Sequence, residues 1–388
     1  MAPSPEIVLG VDLGTTFSSA AAVIDGKLHF ALDGRGEACV PSVVHFPKSG
    51  PPVVGAEADK LRTADPQNTV AGIKRLVGRR ADSGPARLLD AVASFRIRQP
   101  RPEGEAAVVV RSGEYAASEV AAQILRYLRE RAELRFGKRI GKAVLTLPVT
   151  AEREVRDAMI RAAKAAGLEV VRTVLEPCAG AVARFGGAGV GAAPLLVYDF
   201  GGGTLDATVV RKEGARLRVL ASGGDDCLGG DDLDLAFARW VASGVHRVHG
   251  VDVTKDAVLW ERIQRQCELV KRALSVRPEA RYQLRDAFSV GGNVQHLDYL
   301  FRREHLATEW AELVARSIEA ARRTVEEAAV ATETLGAVLL IGGTTYVPQV
   351  REAVAAAFPV PQAVEEDPQT AVARGAALLG GNPSLLAD

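Results

Sequence analysis

The chain carries no net charge to offer a polyanion. Lys+Arg and Asp+Glu each total 48 in 388 residues, so nothing electrostatic favours nucleic acid or a membrane surface as partner. It also lacks long hydrophobic runs, since no apolar stretch approaches the ~20 residues that span a bilayer. The opening MAPSPEIVLGVD has no basic segment followed by an apolar core and leads directly into a strand-like run, so a cytoplasmic location is the expectation. Cysteine is scarce and scattered. Cys39, Cys178, Cys227 and Cys267 form no CxxC and no metal-ligand spacing with any of the six His, which leaves them as isolated buried thiols.

The hydrophobic content of 47% and charged content of 25% are those of an ordinary globular protein, and 388 residues exceed what one hydrophobic core usually serves. Two lobes are therefore expected, and the sequence repeats itself accordingly. GVDLGTT (Gly10 to Thr16) follows an apolar run from Ile7, and about 190 residues later YDFGGGT (Tyr198 to Thr204) follows Leu195-Leu196-Val197. Each reads as a buried strand, an Asp, a Gly/Thr turn and a second apolar run (Ala20 to Ile24; Leu205 to Val210). Glycine lets backbone N–H groups approach an anion closely, and threonine hydroxyls add donors. An Asp at the strand end suits a hydrated Mg²⁺, which takes few carboxylates and keeps its waters. Two such hairpins facing one another would grip a nucleotide triphosphate, as an ATP clamp.

Alternating strand-like and helix-like stretches make the chain α/β. Ala116 to Phe136 is amphipathic, with Val120, Ile124, Leu125, Leu128 and Leu134 at helical spacing. A strand is expected at Lys142 to Leu147, a helix over Ala151 to Ala166 stopped by Gly167, a strand near Val170 to Val174, and a helix from Glu176. The Gly/Ala-rich Gly186 to Pro194 marks the lobe boundary. Helices follow at about Asp232 to Val248, Lys255 to Ser275 and Arg303 to Ala329, then a strand at Ala337 to Ile341 ending in GGTT. The last helix, Pro368 to Leu379, should stop at Gly380-Gly381-Asn382-Pro383. Pro47 to Glu114 and Pro278 to Leu300 are poorly periodic and read as smaller inserts.

GVDLGTT, IKRLVGR (Ile73 to Arg79), EPCAGAVA (Glu176 to Ala183), YDFGGGTLD, LGGDDLD (Leu228 to Asp234), CELVKRALS (Cys267 to Ser275) and LLIGGTTYVP (Leu339 to Pro348) occur as a set from Ile7 to Gly380. That set resembles the nucleotide-binding domain of the DnaK-type, 70-kilodalton heat-shock chaperone family. Actins, sugar kinases and acetate kinases share the hairpins but not the set. The resemblance implies an actin-like ATPase fold, two lobes each with a larger and a smaller subdomain around a central nucleotide cleft. Lobe I would span 1–193 with an insert at about 40–116, and lobe II 194–367 with an insert at about 233–307. Residues 368–383 would return to lobe I, and 384–388 would begin the interdomain linker.

Matched position by position, the resemblance assigns Asp12, Asp199 and Asp206 to the water shell of Mg²⁺. Gly14, Thr15, Thr16, Gly201, Gly202, Gly203 and Thr204 match the phosphate loops, Lys74 the lysine that reaches the γ-phosphate, and Glu176 the acid that positions the attacking water. Phosphoryl transfer needs this and little else: in-line placement of water and neutralised charge. Glu268, Lys271, Arg272 and Ser275 share one helix face by their i, i+3, i+4, i+7 spacing and match the adenosine-binding helix, with Gly342, Gly343 and Tyr346 beside it. The implied ligands are ATP or ADP with Mg²⁺, and K⁺ as an optional further ion.

The chain also departs from the family. Tyr346 stands where an adenine-stacking Arg is usual, and Gln369 where an Asp is usual. Pro148 and Arg156 match the interdomain switch, but Thr150 and Ala151 replace its aromatic pair, Leu175 replaces an Asn and Cys178 a Thr. The expected function is slow Mg²⁺-dependent ATP hydrolysis driving lobe closure, as the nucleotide switch of a chaperone in protein folding and stress response. A peptide-binding domain is expected downstream, with a J-domain co-chaperone and a nucleotide exchange factor as possible partners. The end at Ser384-Leu385-Leu386-Ala387-Asp388, which resembles the start of the linker, favours an excised domain, and the two leucines are expected to dock on lobe II in the ATP state. The changed coupling residues keep a second reading open, a nucleotide-regulated adaptor with negligible hydrolysis. A small-molecule kinase is a third, for which no acceptor pocket is identifiable.

Overall fold

The structure, a computed structural model, describes residues 6–185, 193–214, 216–365 and 367–387. Two large sheets dominate it, and their connectivity is the same. In the first, Val8–Asp12 pairs antiparallel with Phe17–Ile24, which pairs antiparallel with Lys27–Phe30. On its other side Val8–Asp12 runs parallel to Lys142–Leu147, and that strand parallel to Glu169–Leu175. In the second sheet Leu195–Phe200, Leu205–Glu213 and Arg216–Asp225 form the antiparallel meander, and Ala337–Ile341 and Gln362–Val364 add the parallel strands. The duplicated hairpins of the sequence thus open two copies of one sheet design.

Among the described residues, three apolar clusters hold these layers. One joins the first sheet to the Ala117–Phe136 and Arg153–Ala165 helices, which bury Val120, Ile124, Leu125, Leu128, Val155 and Met159. A second joins the second sheet to Gly230–His249, Ala257–Val276 and Arg303–Glu327. The third lies between the sheets, where Val144 and Val174 meet Leu195, Val197, Leu339, Ile341 and the Ala371–Gly381 helix.

Glycine permits the tightest of these contacts. A Cβ on Gly10 would overlap the backbone of Ala376 and Ala377, and one on Gly375 would overlap the carbonyl of Ala179. Gly10 is therefore a packing residue, although it lies in a motif that reads as phosphate-binding.

Several expected boundaries move. The helix expected from Ala151 begins at Arg153, after a turn in which Ala151 N–H donates to the Pro148 carbonyl at 3.1 Å. The last helix starts at Ala371 and runs through Gly380 and Gly381 to an Asn382 cap. Those glycines do not stop it because they lie against Val8 and Val23, and chain exit waits for Pro383. The unperiodic Pro278 to Leu300 is a long hairpin, Glu279–Val290 against Asn293–Arg302, whose register shift between Leu284 and Phe288 breaks the alternation. The stretch Pro47 to Glu114 holds short strands and turns with two short α-helices, Ala56–Asp59 and Gly84–Asp90. Most of the expected boundary segment, residues 186–192, lies outside the described residues.

Candidate active site between the two sheets

Both hairpin turns open onto one cavity of about 360 Å³. From the first half come Asp12, Gly14, Thr15, Thr16, Phe17, Lys74 and Glu176. From the second come Asp199, Gly201, Gly202, Thr204, the Glu268, Lys271, Arg272 and Ser275 face, and Gly342, Gly343 and Tyr346. The turns fit closely. A Cβ on Gly203 would stand 2.5 Å from Thr15 Oγ1, and one on Gly202 would overlap Thr16 Oγ1.

Within this cavity Lys74 Nζ donates to Glu176 Oε1 at 2.5 Å, and both side chains are buried. Lys74 sits in a short 3-10 turn, Ile73–Arg75, entered through Gly72 in the left-handed region at φ 69°. Glu176 opens a helix directly from strand Glu169–Leu175. Burial works against the Lys74 cation, but Glu176 and then Asp12 outweigh it and hold its pKa above the ordinary lysine value. The acids respond oppositely. Burial first and Glu176 second push Asp12 and Asp206 up to about 7, while burial with Glu176, Asp206 and Asp12 drives Asp199 well above the carboxylate range.

Asp12 accepts a hydrogen bond from Thr146 Oγ1 at 3.2 Å. Asp206 lies opposite Asp199 on the neighbouring strand, does not line the cavity, and accepts from the Val149 backbone N–H at 2.7 Å. Its other oxygen, Oδ2, is buried without a hydrogen-bond partner. An excess of buried carboxylate over one lysine is an environment that a divalent cation would relieve. Among the described residues, however, Asp225, Asp226 and Cys227 are the sole group able to place three ligand atoms within 4.8 Å. Asp12, Asp199 and Asp206 do not close as a trio on one ion, which leaves room for a metal held mainly through water.

The halves are joined across this cavity and an adjoining one of about 440 Å³. Thr16 Oγ1 donates to Asp231 Oδ1 at 3.0 Å, Arg75 Nη2 to Asp232 Oδ2 at 2.9 Å, Arg62 Nε to Glu261 Oε1 at 2.7 Å and Arg265 Nη2 to Asp59 Oδ2 at 2.5 Å. Lys271 is tied to Asp234 at 2.5 Å and to the Gly230 carbonyl at 2.7 Å. Glu268 keeps a pKa below the ordinary value because Arg265, Arg62 and Lys271 outweigh its burial. Tyr346 carries Arg351 over its ring at 5.7 Å, and Gln369 lines both cavities.

Of the residues expected at the site, Gly203 and Asp206 do not line the cavity, and all the others do. Sequence reasoning assigned no role to Thr146, Val149, Asp231, Asp234 or Thr344, whose Oγ1 donates to the Gly201 carbonyl at 2.7 Å. LGGDDLD was the available signal, an acidic run at a helix start that served only to mark a resemblance. Arg156, expected at the switch, is exposed at the surface.

The sequence model of the family described as Hsp70 protein matches residues 8–384. The chain belongs to the Hsp70 family. It is 33% identical over 380 residues to a mitochondrial heat shock 70 kDa protein of Solanum tuberosum, covering 98% of this chain and 55% of that protein. It is 37% identical over 388 residues to a chaperone protein HscA homolog of Delftia acidovorans, covering 97% of this chain and 59% of that one. The chain therefore spans little more than half the length of these curated relatives.

Proposed function

We propose that this chain binds Mg²⁺–ATP on an actin-like ATPase fold and hydrolyses it slowly to ADP and phosphate, as the nucleotide switch of a chaperone. The observation that carries the reading is the buried Lys74–Glu176 pair beside Asp12 and Asp199, in a cavity rimmed by two Gly/Thr turns from separate sheets. Family membership supports it.

The turns at Gly14 to Thr16 and Gly201 to Thr204 bind phosphate oxygens through N–H and hydroxyl donors. Lys74, now satisfied by Glu176, transfers its donors to the terminal phosphate. That exchange frees Glu176 Oε1 to accept from a water and hold it in line. Asp12 and Asp199 would hold a hydrated Mg²⁺, which would supply charge neutralisation on the phosphates. Asp206, held by the Val149 N–H outside the cavity, adds negative charge beside Asp199. The Glu268–Ser275 face and Tyr346 receive adenosine, with the tyrosine ring giving a flat contact where an arginine is usual. Turnover is expected well below the ~10 s⁻¹ of a median enzyme, because a switch must dwell in its ATP state.

Single-turnover phosphate release from a stoichiometric ATP complex tests this. Wild type should release phosphate and Lys74→Ala should bind ATP without releasing it. Release at the wild-type rate from that variant removes Lys74 from the mechanism. The 2.5 Å closure of Lys74 on Glu176 also favours a second reading, a nucleotide-regulated adaptor with negligible hydrolysis, because it occupies both hydrolytic groups. Loss of ATP from wild type only by dissociation would select it. A peptide-binding region beyond residue 388, a J-domain co-chaperone and an exchange factor complete the proposal for the whole protein.

A further inference from the structure

Phe17 is the first residue of strand Phe17–Ile24, immediately after the Gly14-Thr15-Thr16 turn. Arg272 lies on the Ala257–Val276 helix, in the other half of the molecule. Its guanidinium carbon stands 5.6 Å from the centre of the Phe17 ring, and both residues line the 360 Å³ cavity and its 440 Å³ neighbour. Arg272 is otherwise held only loosely. Its Nη1 is 3.7 Å from Glu268 Oε1, while Glu268 is taken more tightly by Arg265 at 2.5 Å. Just over half of the Arg272 side chain is exposed (53%), so neither burial nor a short ion pair fixes its plane. Among the described residues, the ring of Phe17 is the aromatic surface that the Arg272 guanidinium lies over.

A guanidinium is planar and has two faces, each able to stack. With the guanidinium over Phe17 on one side, its other side is available to a flat ligand in the cavity. We infer that Phe17 is a positioning residue: it orients Arg272 against the nucleotide base from across the cleft, so that a bound base strengthens closure of the two halves. The inference rests on the ATP reading given above. It adds a link between the phosphate turn and the base, because the residue that follows Thr16 in sequence is the one that sets the plane of Arg272.

The test compares Mg²⁺–ATP with Mg²⁺–tripolyphosphate, which has the phosphates and no base, on the full chain by titration calorimetry. A cation–π contact at a partly exposed site is worth about a 2- to 5-fold change in affinity. Phe17→Leu should therefore weaken ATP by about 2- to 5-fold and leave tripolyphosphate unchanged, and Phe17→Tyr should restore ATP binding. In an Arg272→Ala background Phe17→Leu should add nothing further. Equal weakening of both ligands would make Phe17 a simple packing residue and overturn the inference. So would an unaltered ATP affinity, or a full additional loss in the Arg272→Ala background. Wild-type protein that binds tripolyphosphate but shows no preference for ATP would instead overturn the adenosine assignment itself.

Discussion

Lys74 Nζ and Glu176 Oε1 are 2.5 Å apart in a buried site that also holds Asp12 and Asp199, so one cation answers several carboxyl groups. Each partner of this pair is catalytic in the proposed mechanism, and each holds the other in place until phosphate arrives.

Removing Lys74 should therefore destabilise the ligand-free protein as well as stop hydrolysis. Breaking a buried pair on one side costs about 3–5 kcal/mol when the remaining charge cannot escape. Asp12, raised to about 7 by burial and Glu176 and lowered by Lys74, loses that cation as well, so the loss should be larger at pH about 8, where Asp12 is ionised, than at about 5.5. Urea unfolding of Lys74→Ala and wild type in EDTA at those two pH values checks this; an equal loss at both would show that Lys74 does not support the ionised form of Asp12.

The raised carboxyl groups give a second pH signature. Asp12 and Asp206 have folded values of about 7 against 3.8 for the ordinary group, so the folded chain binds more protons than the unfolded chain between those limits. Stability from these two groups is then present in acid and declines as pH rises through that window. Asp12→Asn with Asp206→Asn should flatten the fall in Tm between pH about 5 and 8, measured in EDTA. An unchanged slope would mean that these groups ionise in the fold as they do in the unfolded chain.

How much of this was legible in the sequence depends on the distance over which each fact is decided. The hairpins at Asp12 and Asp199 were legible because a Gly/Thr turn between two apolar runs is local information. Lys142–Leu147, Ala337–Ile341 and the Ala117–Phe136 helix were legible from their periodicity. Gly10 was not, because its need for a bare Cα is set by Ala376 and Ala377, far along the chain. Neither was the Thr16–Asp231 contact, which depends on how the two halves face each other. Asp206 read as a further acid at the metal beside Asp199, yet strand pairing places it opposite Asp199 and out of the cavity. Side-chain type suggested the chemistry, and only tertiary packing decided which acids face the cavity.

Metal removal is the third prediction. Triphosphate brought beside buried Asp12 and Asp199 repels them strongly in a poorly solvated cleft, and Lys74 alone does not balance it. EDTA should weaken ATP binding by at least about tenfold, as read by calorimetry. Because no three of the cavity's acids, among the described residues, place ligand atoms close enough to share one ion, Mg²⁺ without nucleotide should bind far more weakly than Mg²⁺ with it. Tight binding of the bare ion would contradict a site held through water.

The tail supplies the last prediction. A simple frayed terminus does not describe what is seen. Leu386 forms a parallel bridge with Leu217, Ala387 N–H donates to the Leu217 carbonyl at 2.9 Å, and the Leu386 side chain is 8% exposed within the cluster between the sheets. Arg172 Nη1 donates to the Pro383 carbonyl at 2.8 Å, so the segment touches the outer strand of the first sheet as well as that of the second. Leu385 only packs at the edge of the cluster. The two leucines should therefore behave unequally. Burying one leucine is worth about 1.5–3 kcal/mol, close to the ~1–2 kcal/mol per residue that ordering a short segment costs. Leu386→Asp alone should release the tail, seen as rapid amide exchange at Ala387 and faster proteolysis after Pro383, and it should lower basal ATPase without altering ADP affinity. Leu385→Asp should leave exchange at Ala387 within about twofold of wild type, as expected for a change at a half-exposed position. Equal effects of the two substitutions would show that the leucines act through general apolarity, and not through the Leu386 seat on Leu217.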